Sequence, residues 1–401
     1  MPQRPGTPRA RALTFALFVF LLLLVTAFSI YVIYRISAFK PWEETKPEGF
    51  GAQTTMKPLR PSDRSPCVFD PKPGITSTQK PSYSLIMQWT FQNISMHVSV
   101  GNTVSISLMN TGKGEVYAYR IGIEWKWQAY TKTYEETSGF LVNPATTRDL
   151  GLVSFPAPGA TGNCSYRIVI SLLAQNPLGD WTDLGKIEND RRHVDVLPLE
   201  RRTGYENVTN PNGYFQLVNG LFKDATWLAH KAIGIVGNST DAPNTYHLCK
   251  IFDFIKGNMS YISDPKPDEN EWMTPRQAIE RSGGDCEDQA LALAGLMKAL
   301  GATVRCHFTS NHAFASVFCG GKEDLKNATA SIGAYYGMQN QRPDILCYSD
   351  TFGYWIMADP LAGFYPGAPP LGYAPVDEKD GGTIWDFCST QHLINIDITA
   401  V

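Results

Sequence analysis

Three residues in the second half of the chain have the types and surroundings for acyl transfer by a thiol: Cys286, His312 and Asp359. Cys286 follows Gly283-Gly284-Asp285 and opens an apolar stretch, Glu287 to Leu300, that stops at Gly301. A stretch apolar nearly all round predicts a centrally buried helix, and glycine is a natural stop. A thiol at a helix N-terminus faces unpaired backbone N–H groups and the helix dipole. Both favour a thiolate, and the same groups can hold the oxyanion of a tetrahedral intermediate. The sequence therefore predicts a thiol that alkylates below pH 7, earlier than an ordinary cysteine with a pKa of about 8.5. Most lone cysteines are small buried hydrophobes, and Cys249, Cys306 and Cys319 read that way. Asp285, Glu287 and Asp288 set Cys286 apart, because acids are an unusual coat for an inert core thiol.

A thiol nucleophile needs a base. His312 follows the polar turn Thr309-Ser310-Asn311 and opens the apolar run Ala313 to Phe318, which places it at a strand end. His307, mid-strand, is the rival. Asp359 closes the run Trp355 to Ala358 just before Pro360 and is the candidate to orient the imidazole and hold its tautomer. Spacing alone cannot join the three, since triad members meet only in space.

Gly-Gly-Asp-Cys-Glu-Asp-Gln-Ala, then Asn-His-Ala-Phe, then Ala-Asp-Pro, in that order, resemble the transglutaminase-like superfamily of papain-like cysteine enzymes, over about Tyr214 to Pro366. The resemblance implies an α+β fold, with Cys286 as nucleophile, His312 as base and Asp359 as orienting acid. The acidic flanks resemble microbial members rather than eukaryotic cross-linking enzymes. Some microbial members bind calcium beside the nucleophile, and Asp285, Glu287 and Asp288 are the residues that could do so here. A solvated or hydrogen-bonded role is the favoured reading for them, so no cofactor is expected.

Three functions compete. The first is a cysteine hydrolase acting on amide bonds of a protein or peptide substrate through a thioester. The second is a transferase in which an amine replaces water, as in protein-glutamine cross-linking. The third is a surface binding module on an inactive scaffold, which has no need of all three residues. Asp285 and Glu287 should keep the approach to the thioester wet, which favours hydrolysis over the water-excluding tunnel an amine needs.

The elements that must position these residues are legible in outline. Thr245 to Met259 carries Leu248, Ile251, Phe252 and Ile255 at helical spacing. Thr274-Pro275-Arg276-Gln277 reads as a capping box with proline at the first helical position. Short β patterns run over Thr303 to Phe308, Ala313 to Phe318, Tyr354 to Ala358 and Leu393 to Ile398. Upstream, Tyr83 to Leu199 alternates with period two, as in Val104, Ile106, Leu108 and Ile121, Ile123, Trp125. That pattern predicts an all-β, Ig-like sandwich, its aromatics serving packing more than binding.

Ala12 to Tyr34 is uncharged and apolar for 23 residues, long enough to span a bilayer. It exceeds the usual signal-peptide core, so it reads as an uncleaved single-pass anchor. Arg35, Lys40 and Lys46 after it nearly balance the arginines before it, which leaves orientation to other signals. Six N-x-[ST] acceptors, at Asn93, Asn163, Asn207, Asn238, Asn258 and Asn327, point to an exported, glycosylated surface. The organisation expected is a tail (1–11), a transmembrane helix (12–34), a Pro-rich spacer (35–82), a β-sandwich (83–199) and an α+β transglutaminase-like domain (200–401). The 401 residues carry 43% hydrophobic residues, enough for two cores, and a net charge of −3, which argues against a nucleic-acid partner. No P-loop, HExxH or paired CxxC motif occurs.

Overall fold

The computed structural model describes residues 56–92, 96–98, 101–128, 130–198, 211–239, 241–263, 272–308, 312–338, 340, 343–350, 352–368, 377–379, 382–385 and 394–399. The expected anchor over Ala12 to Tyr34 lies outside them. Among the described residues, no helix is long and apolar enough to cross a membrane.

The N-terminal part is rich in β-sheet. β1 (Leu85–Phe91), β3 (Gly101–Asn110) and β6 (Thr146–Pro156) form one antiparallel sheet. The second runs β2 (Met96–His97), β9 (Arg192–Leu197), β7 (Gly162–Gln175), β4 (Val116–Trp127), β5 (Tyr130–Val142), with β8 (Trp181–Glu188) also on β7. Alternation decides which face is buried. Val104, Ile106 and Leu108 meet Ile121, Ile123, Ile168, Ile170 and Leu172 in one core. Each such side chain contributes about 1.5–3 kcal/mol by leaving water. The aromatics pack as expected: Trp125 lies 5.4 Å from both Phe155 and Tyr166.

The expected spacer is extended from residue 56 on, but it is a strap laid against the fold. Leu59, 2% exposed, donates its N–H to Phe318 O at 3.0 Å, and Thr245 N donates to Arg60 O at 2.9 Å. Further along, Asp70 N donates to Gly139 O and Phe69 packs edge-on against Phe140. Isolated residues such as Leu59 and Phe69, each seated in its own pocket, leave no cluster for a composition scan to find.

The C-terminal part is α+β. In chain order it holds α1 (Pro211–Leu221), α2 (Ala225–Ile235), α3 (Thr245–Asn258), β10 (Ser260–Tyr261), α4 (Pro275–Arg281), β11 (Gly283–Gly284), α5 (Cys286–Ala299), β12 (Val304–Phe308), β13 (Ala313–Gly320), α6 (Lys322–Tyr335), β14 (Ile345–Asp350), β15 (Gly353–Ala358), β16 (Asp377–Lys379), β17 (Gly382–Trp385) and β18 (Ile394–Asp397). The sheet order is β16-β17-β14-β15-β13-β12-β18. α5 lies across β12 and β13, with α2, α3 and α4 packed on it. This is the buried central helix the sequence predicts, with Leu291, Leu293, Leu296 and Met297 fully buried. Arg305 on β12 pairs with Asp350 and Asp397 and lies 3.8 Å over Trp355, which ties β12, β14, β15 and β18 together. The two parts touch where Asn340 donates to Glu136 Oε2 at 2.8 Å and Thr137 Oγ1 at 3.0 Å.

Candidate active site

Sheet register brings His312 and Asp359 to one edge. β13 and β15 are antiparallel, with Ala315 opposite Ala358. The residue just before β13 and the residue just after β15 therefore share an end of the sheet. His312 Nε2 lies 2.6 Å from Asp359 Oδ2. The other carboxylate oxygen, Oδ1, accepts the N–H groups of Leu361 and Ala362 at 3.2 and 3.3 Å. Asp359 is thus fixed by its own turn, and its side chain is 5% exposed against 26% for the imidazole. Nε2 is turned to Asp359, so a base role for this ring would fall to Nδ1.

Cys286 reaches the same edge from the helix side. The capping box forms as read: Gln277 N donates to Thr274 Oγ1 and Thr274 N to Gln277 Oε1. Ser282 then ends α4 in the left-handed region at φ 56° and turns the chain into β11. β11 pairs with β10, and Ile262 N donates to Gly284 O at 3.1 Å. A Cβ on Gly284 would stand 2.5 Å from Asp288 Cβ, so only glycine lets α5 close down here. Asp288 is a brace: it is 1% exposed, and its Oδ1 accepts the Met273 N–H at 2.9 Å.

The electrostatics of the thiol correct the sequence expectation. Cys286 Sγ donates to Glu287 Oε2 at 3.1 Å. Burial pushes the thiol above its ordinary pKa, and the charge and hydrogen bond of Glu287 push it further; the Ala313 backbone N–H works in the other direction and does not offset them. The helix terminus alone favours a thiolate, but burial, joined by a carboxylate at hydrogen-bond distance, works against it. For His312, burial works to lower the pKa. The hydrogen bond and charge of Asp359, helped by the charge of Glu287, outweigh burial and leave it raised.

His307 is not brought to the site edge as a base. Its Nδ1 pairs with Asn395 Oδ1 at 2.7 Å and its Nε2 with Ser316 Oγ at 2.6 Å. Oδ1 can only accept, so Nδ1 carries the proton and Nε2 accepts from the serine. Burial drives its pKa down to about 3. It is a neutral strut inside the sheet.

One expectation about the acids changes. Asp285 and Asp288 are buried, which leaves Glu287, half-buried, as the acid that wets the approach. On another side stands an aromatic pair: Trp272 stacks on Phe308 at 5.0 Å, and Phe308 lies opposite Ala313 in the hairpin. Asp285, Cys286 and Glu287 do place ligand atoms within 4.8 Å of one another. Among the described residues this set mixes two carboxylates with a soft thiol, whereas calcium takes 6–8 oxygens, and Asp288 Oδ1 accepts the Met273 N–H. Sequence reasoning missed Glu287 as the thiol's partner. Its adjacency to Cys286 was the only signal available.

Residues 231–332 match the family model of the transglutaminase-like superfamily. No curated protein matches the chain in sequence. Among solved structures, the chain is similar to one named "Putative Cysteine Protease" from Cytophaga hutchinsonii, at 13% identity and a TM-score of 0.23, covering 79% of this chain and 100% of that one. It is also similar to one named "Putative Protease" from Parabacteroides distasonis, at 11% identity and a TM-score of 0.23, covering 59% and 64%.

Proposed function

Because residues 231–332 carry a transglutaminase-like segment, we propose that this chain is a membrane-anchored, extracytoplasmic cysteine hydrolase for amide bonds of protein or peptide substrates. The observation that carries this reading is the His312–Asp359 pair, 2.6 Å long, at the sheet edge beside the Cys286 helix. In the reaction, Cys286 Sγ bonds to the substrate carbonyl carbon as its proton passes to His312 Nδ1. The C–N bond then breaks, and the same proton leaves with the amine. Water, deprotonated by His312, hydrolyses the thioester and releases the acid and the free thiol. Asp359 holds the tautomer and stabilises the imidazolium. The resting thiol is neutral and bonded to Glu287, so His312 acts as a general base on a thiol rather than as half of a preformed ion pair.

The β-sandwich and the anchor serve placement in this reading: the apolar run Ala12 to Tyr34 fixes the protein to the membrane, and an Ig-like module carries the catalytic domain. Four sequon asparagines, Asn163, Asn238, Asn258 and Asn327, are solvent-exposed, which is compatible with glycosylation. The Trp272–Phe308 stack favours a second reading, amine transfer, since aromatic walls exclude water. Mass spectrometry of the products from a glutamine-containing peptide panel, with millimolar primary amine present, separates the two. Free acid lost in Cys286→Ala supports hydrolysis; an amine adduct as main product reverses the ranking; no turnover by the wild type of any substrate counts against both.

A further inference from the structure

Lys256 sits in the last turn of α3, where a lysine ordinarily points to water and complements the helix dipole. Here its Nζ donates to Pro360 O at 3.2 Å, 104 residues away in sequence, and also lies 5.4 Å over the Phe364 ring. The acid one turn back on the same helix, Asp253, is already engaged: its two oxygens accept the hydroxyls of Tyr335 and Tyr336 at 2.7 and 2.8 Å. Pro360 follows Asp359 directly. The inner side of that turn is closed by its own bonds, with Asp359 Oδ1 on Leu361 N and Ala362 N and Asp359 O on Gly363 N. Pro360 itself is buried, and its carbonyl accepts the Lys256 ammonium. α3 in turn packs on α5, the helix that begins with Cys286. The turn that holds the acid is thereby tied to the framework that holds the nucleophile.

We propose that Lys256 is a positioning residue: it clamps the Asp359–Pro360 turn from α3 and keeps the Asp359 carboxylate in register with His312. This rests on the Cys286–His312–Asp359 reading only for its relevance to turnover; the clamp itself is measurable in the resting protein. The charged groups involved are Asp359 and Glu287, from the β15 turn and from α5, around His312, and Asp359 and Asp253 around Lys256. Clamp and charge predict opposite signs. If Lys256 acts only as a nearby positive charge, removing it makes the imidazolium easier to form and the His312 midpoint rises. If it clamps the turn, removing it loosens the His312–Asp359 bond and the midpoint falls toward the ordinary value.

The test is NMR titration of the His312 ring in the full chain, with histidine isotopically labelled. In Lys256→Met the midpoint should fall by about one unit, the size expected for weakening one ion pair. Lys256→Arg, which can still reach the carbonyl, should restore most of it. In an Asp359→Asn background, Lys256→Met should add no further shift. An unchanged or raised midpoint in Lys256→Met overturns the proposal. So does an arginine variant no better than methionine, or a full additional shift in the Asp359→Asn background. Loss of fold in the methionine variant is met by Lys256→Gln under the same criteria. Absence of turnover in the wild type would sink the hydrolase reading while leaving this result standing.

Discussion

Glu287 Oε2 accepts the Cys286 thiol at 3.1 Å, so the residue after the candidate nucleophile engages that residue's own proton. The carboxylate is also close enough to add to the raised pKa of His312. One side chain thus stabilises both members of the pair in their protonated forms, and its removal should be felt at both.

Replacing Glu287 by Gln should lower the pH at which Cys286 alkylates. The carboxylate raises the thiol pKa by charge and by hydrogen bond, so the amide should shift the iodoacetamide rate profile down by about one unit, or about tenfold in rate at a fixed neutral pH. A profile that does not move would show that Glu287 does not control the thiol.

The acid limb of turnover should lie above pH 6.5. A general base must be neutral, and His312 titrates above its ordinary value. Asp359→Asn should move that limb down and cut kcat/KM by about a hundredfold or more. A limb below pH 6 in the wild type, or an unchanged limb in the variant, contradicts the assignment of His312.

His307 should govern acid stability and leave chemistry alone. Its folded pKa of about 3 lies below the unfolded value near 6.5, so the unfolded chain takes the proton first as pH falls. Its contribution is complete above about pH 6.5 and is lost progressively toward pH 3, a loss on the order of a few kcal/mol. Melting temperatures measured from pH 7 to pH 4 should fall less steeply in His307→Gln than in the wild type. Alkylation of Cys286 should keep its wild-type pH profile in that variant.

The topology is tested on intact cells. External protease should remove an epitope at Val401 and spare one at Met1, and endoglycosidase should shift the mobility of the full chain. Protection of the C-terminal epitope overturns the extracytoplasmic placement.

Much of the candidate site could be read from residue order because its members end or begin regular elements. Cys286 starts a helix marked by Gly283-Gly284 and Gly301, while His312 and Asp359 flank apolar runs, and local pattern reports such boundaries well. The capping box at Thr274 and the period-two burial of Val104, Ile106 and Leu108 were legible for the same reason. What local pattern cannot report is a partner far along the chain. His307 and His312 look alike in sequence, and only Asn395 and Ser316 make the first a strut. The raised thiol pKa was hidden too, since a neighbouring Glu287 can turn toward or away from the sulfur. Lys256 is an exposed lysine, and nothing in its neighbourhood in sequence signals the bond to Pro360 O.

The strap over residues 56–82 has a consequence for biosynthesis. Lys57 N donates to Thr303 Oγ1 and Ser62 N to Ser331 Oγ, separations of 246 and 269 residues. A ribosome making this chain exposes the strap long before it makes either partner, at synthesis speeds of about 5–20 residues per second. For roughly ten seconds or more Leu59 has nowhere to bury, and the emerging β-sandwich must complete itself beside an unseated segment. Closure of the first part, residues 56–66, is then a terminal event, a seal set only after β13 and α6 exist, whereas Phe69 and Asp70 can dock on β5 as soon as it forms. A nascent-chain series stalled at increasing lengths should show residues 56–66 becoming protease-resistant only once the chain has grown past α6.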